Sequence, residues 1–333
     1  MSQAEPNRHR RTVIAAGALS ALGALGVGGV ARGQTRFPDR PVSLLVPFGP
    51  GGIADLTARA VAEGMARTLG QPVVVENKPS AGSIVASQAV AAARPDGHTL
   101  LLMSNGNAVS VGLFRKLPYD TLKDFAPITT LGYFDLGLFV PAGSRFRSLA
   151  EVLAHARANP GRLNVGTVAP GSTQHLAAKL FETVAGIDML VVPYRASPAV
   201  LSALRSGEID LAFEIVGPMV PQVAGGVVRA LAVTSGQPNP ALPGVPTVQQ
   251  AGLPGYDVAS WNALAAPAGT PADVIEKINL AARAAIDSPA VRDKLGRLGM
   301  RLAGSTPAEL QALLEGEIRR WGGVIRAAKI EPE

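Results

Sequence analysis

Val42-Ser43-Leu44-Leu45-Val46, then Pro47-Phe48-Gly49-Pro50-Gly51-Gly52, then Ile53-Ala54-Asp55, is the stretch that decides the fold class. Its first five residues read as a buried strand, because a near-continuous apolar run suits a sheet covered on both faces. The Pro/Gly segment breaks that strand. From Asp55 to Leu69 the spacing of Leu56, Ala60, Ala66 and Leu69 is helical. Strand, glycine-rich loop and helix then recur: Val73 to Val75 is a second strand, a Gly/Ser turn leads to a helix through Ala92, and Thr99 to Met103 is a third strand. β-branched runs alternating with amphipathic Ala/Leu stretches predict an α/β fold with a parallel sheet.

The pattern resets near Asp124 to Leu131, after the turn-rich Leu117-Pro118-Tyr119-Asp120, and a second series begins at about Leu136. Its strands are expected near Leu163–Val165, Met189–Val192, Ile209–Phe213 and Ala230–Val233. Helices are expected at Ala150–Ala158, Gln174–Ala185 and Ala199–Ser206. A Pro/Gly-rich segment from Gln237 to Gly255 leads to three more helices, Ala272–Ile286, Ala290–Leu298 and Pro307–Arg326, which have no strands of their own to cover. They are expected to pack back on the first series. That gives a discontinuous first domain, 34–134 plus 258–333, and a second domain, 135–257, joined by two crossings that form a natural hinge.

The opening stretch belongs to neither domain. Arg8, Arg10 and Arg11 precede an uncharged run from Thr12 to Val30, and Ala31-Arg32-Gly33 follows with small residues at the positions a signal peptidase requires. Residues 1–33 are therefore read as a cleaved export signal. Large apolar residues are too few in it for a membrane anchor. Arg10-Arg11 followed by Thr12-Val13-Ile14 also resembles a twin-arginine signal, so both export routes stay open.

Four Arg and one Glu precede residue 34, so the whole-chain counts of 31 basic and 25 acidic residues become 27 and 24, a net charge of +3. No basic, aromatic-interleaved patch suits nucleic acid. The chain has no Cys, which excludes disulfides and thiol catalysis, and only four His, at 9, 98, 155 and 175, none at metal-ligand spacing. No cofactor, metal or catalytic residue is expected.

Three loops between strand and helix carry the chemistry. In Pro47 to Asp55 the glycines allow close backbone approach, and the first helical N–H groups favour an anion. The loop lacks both the Lys-Ser/Thr of a P-loop and a dinucleotide fingerprint. The second loop is Val168-Ala169-Pro170-Gly171-Ser172-Thr173-Gln174-His175, where Ser172 or Thr173 suits the N-cap and either hydroxyl can face a ligand. His175 reads either as a base or as a helix-face imidazole. No orienting acid accompanies it, so a Ser–His nucleophile is the weaker reading. In the third loop, Pro193 to Ala199, Ser197 suits the cap and Pro198 the first turn. Arg195 there is placed to pair with a carboxylate ligand, or with Asp210 or Glu214 on neighbouring strand ends. Two helix N-termini on separate domains make an anion clamp.

With these loops in place the chain resembles the Bug receptors, the periplasmic solute-binding proteins of tripartite tricarboxylate transporters. The landmarks are Val46 to Gly52 with Asp55 and Ala58-Arg59, Val75-Glu76-Asn77-Lys78-Pro79, and Arg94-Pro95-Asp96-Gly97-His98-Thr99-Leu100. Leu117 to Asp120 with Asp124 to Ile128 follows, then Gly171-Ser172 with His175, Val192-Pro193-Tyr194, and Gly207 to Asp210. Pro246-Thr247-Val248, Gly252 to Tyr256, and Trp261 with Ala266 to Pro271 complete them. The resemblance implies a two-domain periplasmic-binding-protein fold, type II-like, closing its interdomain cleft on a small carboxylate. Phe48, Gly52, Ile53, Ala54 and Asp55 would hold the acid through backbone N–H groups and waters, with Gly171, Ser172, Thr173 and His175 opposite. Arg195 and Asp210 complete the candidate set. This sequence departs from the usual pattern at Ser80 to Ile84, at Arg195-Ala196, at Glu214 where Asp is frequent, and at Ala263. The expected partners are a small carboxylate, a dicarboxylate by default, and transporter membrane subunits, with the receptor a monomer in the periplasm. Signalling through a sensor, or hydrolase or lyase chemistry on Ser172, His175 and Glu214, are the alternatives.

Overall fold

A computed structural model describes every residue except 2–36, 169, 171, 328, 329 and 333. The export-signal stretch and the candidate Gly171 thus lie outside the described residues. From Phe37 onward the chain is a single unit.

The first series is β1 (Val42–Val46), α1 (Ile53–Leu69), β2 (Val73–Asn77), a 3-10 turn at Ala81–Ser83, α2 (Ile84–Ala91) and β3 (Thr99–Ser104). α3 (Asn105–Leu113) follows directly and leads to a seventeen-residue strand, β4 (Phe125–Pro141). The second series is α4 (Leu149–Ala158), β5 (Asn164–Val168), α5 (Thr173–Ala185), β6 (Leu190–Tyr194), α6 (Ser197–Ser206), β7 (Leu211–Ile215), α7 (Val216–Ala224) and β8 (Val228–Val233). The chain returns through β9 (Ala259–Pro267), α8 (Ala272–Asp287), α9 (Pro289–Gly296), β10 (Met300–Leu302) and α10 (Pro307–Ala327).

The strands form one path, β2-β1-β3-β9-β4-β7-β5-β6, with β8 and β10 both paired to β4. β1 is parallel to β2 and β3, and β5 is parallel to β6 and β7, as the two series require. β4 is antiparallel to its partners and changes them along its length. Phe125 to Asp135 pair with β9, whereas Leu136 to Phe139 pair with β7. The seam between the two series therefore falls between Asp135 and Leu136. The Thr234 hydroxyl closes it, donating toward Leu136 O at 3.1 Å and Val258 O at 2.7 Å.

The three C-terminal helices are not the strandless group expected from sequence. β9 enters between β3 and β4, and β10 lies on β4 at Gly132 to Phe134. β9 is Ala-rich and owes its extended form to ladder pairing on both edges rather than to local β-propensity. β4 contains Pro127, Gly132 and Gly137, which read locally as breaks; register shifts against β9 carry the first two, and Gly137 is held by regular pairing with β7 and β8.

Two glycines mark close approaches. A Cβ on Gly64 would sit 2.5 Å from Ala285 Cβ, so α1 and α8 cross almost backbone to backbone. A Cβ on Gly217 would meet Leu298 O at 2.1 Å, where the start of α7 abuts the turn after α9. The largest apolar cluster runs across the seam and joins Met103, Trp261 and Trp321 to Phe181, Phe213 and Tyr256. The Tyr256 hydroxyl donates to Ala177 O at 2.7 Å, which satisfies a phenol that is otherwise fully buried.

Candidate functional site

The first loop is braced from inside. Asp55, in the first turn of α1 and 2% exposed, takes the Gly51 N–H at 2.9 Å, the Arg59 Nε at 3.1 Å and the Asn77 Nδ2 at 2.9 Å. The Asn77 amide also donates to Phe48 O at 2.9 Å, tying the loop to the end of β2. Burial alone would raise the Asp55 carboxyl. The Arg59 side chain and the Gly51 and Asn77 donors outweigh it and hold the group below its usual value. The Asp55 carboxylate is thus a strut of the loop. Gly52, the N-cap of α1, has no side chain with which to cap the helix. The N–H groups of Ile53, Ala54 and Asp55 have no intrahelical acceptor by geometry, and they sit at the positive end of a seventeen-residue helix. Phe48 is 38% exposed at the loop tip.

The second loop opens α5. Of the two candidate caps, Ser172 is the one used: its Oγ accepts the His175 N–H at 3.1 Å and donates to Val168 O at 3.1 Å. That hydroxyl is committed to the backbone and forms no nucleophile–imidazole pair. Burial, reinforced by the nearby Lys179 charge, pushes the His175 imidazole down to about 4, so it is neutral at pH 7. Thr173, the first residue of α5, has its Oγ1 within 3.3 Å of Asn105 Nδ2 and 3.1 Å of Ser260 Oγ. The second loop therefore touches α3 and β9, both outside the second series.

Glu214, next to last in β7, is fully buried between the first turns of α5 and α6. Its Oε1 accepts from Gln174 Nε2 at 2.9 Å and the Ile215 N–H at 2.8 Å, with the Ser197 hydroxyl beside it. Burial raises its carboxyl above the usual range despite these donors. Glu214 Oε2, His175 Nδ1 and Thr167 Oγ1, on the neighbouring elements β7, α5 and β5, are buried with no hydrogen-bond partner among the described residues.

α6 begins one residue earlier than the sequence suggests, with Ala196 as N-cap and Ser197 as its first residue. Arg195 is exposed, and Tyr194 beside it donates its hydroxyl to Glu208 at 2.7 Å; desolvation first, and this carboxylate second, push that phenol up to about 12. Asp210 does not join the group. It precedes β7 at the amino end of the parallel strands, where its carboxylate takes the Asn164 N–H at 3.0 Å, and the loops that carry the chemistry leave the opposite end. Arg195 thus pairs with neither Asp210 nor Glu214. A separate cavity of about 620 Å³ opens beside Ser148, Leu231 and Gly244. The helix end there is capped by Ser148, whose Oγ accepts the Glu151 N–H at 3.3 Å, and the Glu151 side chain in turn accepts the Arg147 N–H at 2.6 Å.

Asn105, Ser260, Asn77 and Gln174 were not among the site residues expected from sequence. Asn105 was discoverable through Ser104 and Asn107, whose spacing after a strand is that of a capping box, and both halves of that box are formed.

An α/β chain with helix N-termini at the carboxyl ends of its parallel strands has the architecture of periplasmic binding proteins. It belongs to the tripartite tricarboxylate transporter family of receptors, whose description the sequence matches over residues 57–330. The solved structure of the periplasmic binding protein BugD is similar, with a TM-score of 0.80 and 29% identity over 89% of this chain and all of that one. A Rhodopseudomonas palustris protein, Rpa4515, solved with adipate, gives a TM-score of 0.82 and 34% identity, covering 89% of this chain and 100% of that one. MatC of the same organism, solved with malate, gives 0.77 and 35%, covering 87% and 100%. The resemblance to the Bug receptors is borne out, and the chain is a solute-binding receptor of this family.

Proposed function

We propose that this receptor captures a small dicarboxylate between its two series, in the periplasm, and delivers it to the membrane subunits of a tripartite tricarboxylate-type transporter. The observation that carries the reading is the bare N-terminus of α1. Gly52 cannot cap it, and Asp55, the acid in its first turn, is neutralised by Arg59. A carboxylate placed there would meet several N–H donors and the positive end of a helix, with no like charge exposed. The N-terminus of α5, where the Ser172 hydroxyl caps the His175 N–H and leaves those of Thr173 and Gln174 without an intrahelical acceptor, supplies a second site, which favours two carboxylates over one. Adipate and malate, held by the two R. palustris relatives, are both dicarboxylates.

In this reading residues 34–134 with 258–333 form one domain and 135–257 the other. They hinge at the Asp135/Leu136 seam and at the return before β9, and closure of a monomer gates release without turnover. Residues 1–33 direct export and are removed. A sensor in place of a transporter would use the same closed form.

Backbone donors, rather than Arg195, are proposed to carry affinity. In a calorimetric titration with adipate and malate, Arg195→Ala is expected to stay within about threefold of the parent. Thr173→Val, which removes a hydroxyl and its network, is expected to lose about three- to tenfold. Loss of binding in Arg195→Ala with an unchanged Thr173→Val would reverse the assignment.

A further inference from the structure

Asn105 is fully buried at the first position of α3, and it is neither in the two ligand loops nor close to them in sequence. Its side-chain oxygen accepts the indole N–H of Trp321, on α10, at 2.7 Å. Its side-chain nitrogen donates to Thr173 Oγ1 at 3.3 Å. An indole N–H only donates, so the atom facing it has to be the amide oxygen, and this fixes which end of the amide meets Thr173. Thr173 Oγ1 also lies 3.1 Å from Ser260 Oγ, a hydrogen bond in which either hydroxyl can donate. The result is a chain from α10 through α3 to the first turn of α5 and on to β9, with its first two donors pointing the same way. Trp321 is itself fully buried, and its N–H is shared with Glu317 Oε2 at 2.7 Å, a residue one turn earlier on α10.

We propose that Asn105 is the latch that holds the second ligand loop closed, and that Trp321 of the C-terminal helix is the positioning residue that sets the latch. Thr173 belongs to the second series, whereas Asn105, Ser260 and Trp321 all belong to the chain on either side of it, so both bonds to the Thr173 hydroxyl cross between the two. Opening the cleft would break them while leaving Trp321–Asn105 intact. The latch would then be preset for the next closure. The inference rests on the two-domain receptor reading, and it assigns to α10 a role in the stability of the closed form that the loops alone do not supply.

Hydrogen exchange of the ligand-free mature protein tests this without a known ligand. Trp321→Phe keeps an aromatic ring in the core and removes only the donor. Asn105→Leu is close in size and removes every polar atom that meets Thr173, while the Trp321 N–H keeps Glu317 Oε2. Each is expected to speed amide exchange in the first turn of α5 by about three- to tenfold, with α8, on the far side of β4, unchanged. In a Thr173→Val background Trp321→Phe should add nothing further, because the chain it feeds is already cut. A Trp321→Phe effect of equal size in both backgrounds, or no change at α5 in either single variant, would overturn the latch. A parallel titration of the parent with adipate and malate keeps the two ideas apart. Failure of both acids to bind counts against the dicarboxylate reading, while the exchange data still decide the latch.

Discussion

Replacing Asp55 with Ala is expected to cost the fold about 3 kcal/mol and to weaken carboxylate binding about ten- to a hundredfold. The carboxylate gathers the Gly51 N–H, the Asn77 amide and the Arg59 side chain from three parts of the first loop. Arg59 is half exposed and regains water when its partner is lost, so the ion pair itself contributes little. The cost comes from Gly51 and Asn77, whose donors lose a buried acceptor, and from the loop that Asn77 holds at Phe48 O. Ligand affinity falls with it, because the α1 N–H groups act together only while that loop keeps its shape. The acid limb carries the same signature. The folded carboxyl lies below its value of 3.8 in the unfolded chain, so its contribution is complete above that pH and is lost as pH falls through the lower folded value. Urea denaturation at pH 7 and in acid measures both effects. Asp55→Ala unfolding at the parental urea concentration would remove Asp55 from this role.

A large effect of pH is expected at His175. Its imidazole falls from 6.5 to about 4 on folding, through burial first and the Lys179 charge second. Above pH 7 the group is neutral in both states and contributes no pH dependence. As pH falls from 6.5 toward 4 the unfolded chain takes up a proton that the native chain refuses, so stability drops across that window. At 1.36 kcal/mol per unit the full drop is about 3 kcal/mol, reached near pH 4. His175→Gln should abolish that component and flatten the melting temperature between pH 7 and 4.5. Parallel pH profiles for the two proteins would contradict it. A neutral His175 at pH 7 also means that the second loop draws no cation from its imidazole, which is why backbone donors carry the proposed clamp.

The parts of this molecule that were legible in its sequence are those where a local signal and the fold agree. β1, β3 and β7 are short apolar runs between turns, and parallel, covered strands are built that way. The loops at Gly52 and Ser172 were legible for the same reason, since a strand end, a turn residue and a helix start lie within ten residues. β9 was not legible, because Ala259 to Pro267 is extended only through its partners. α7 was missed because Pro218 and Pro221 stand in its nine residues, although the first turn of a helix tolerates proline. The latch residues are farther out of reach: Asn105 meets Thr173 across 68 positions and Trp321 across 216. No periodicity or spacing connects residues so distant. Asp210 stands apart because a residue at the start of a strand and one at its end look alike in sequence but lie at opposite edges of the sheet.

The central claim is that two helix N-termini close on the two carboxylates of one small acid. It is tested most directly by a calorimetric titration of the mature chain with adipate, with malate and with adipamide, the neutral diamide of adipate. The account predicts saturable binding of at least one diacid and, at a hundredfold excess over its dissociation constant, about 2.7 kcal/mol of stabilisation, with no response to the diamide. Equal binding of the diamide, or silence with both diacids, would contradict it.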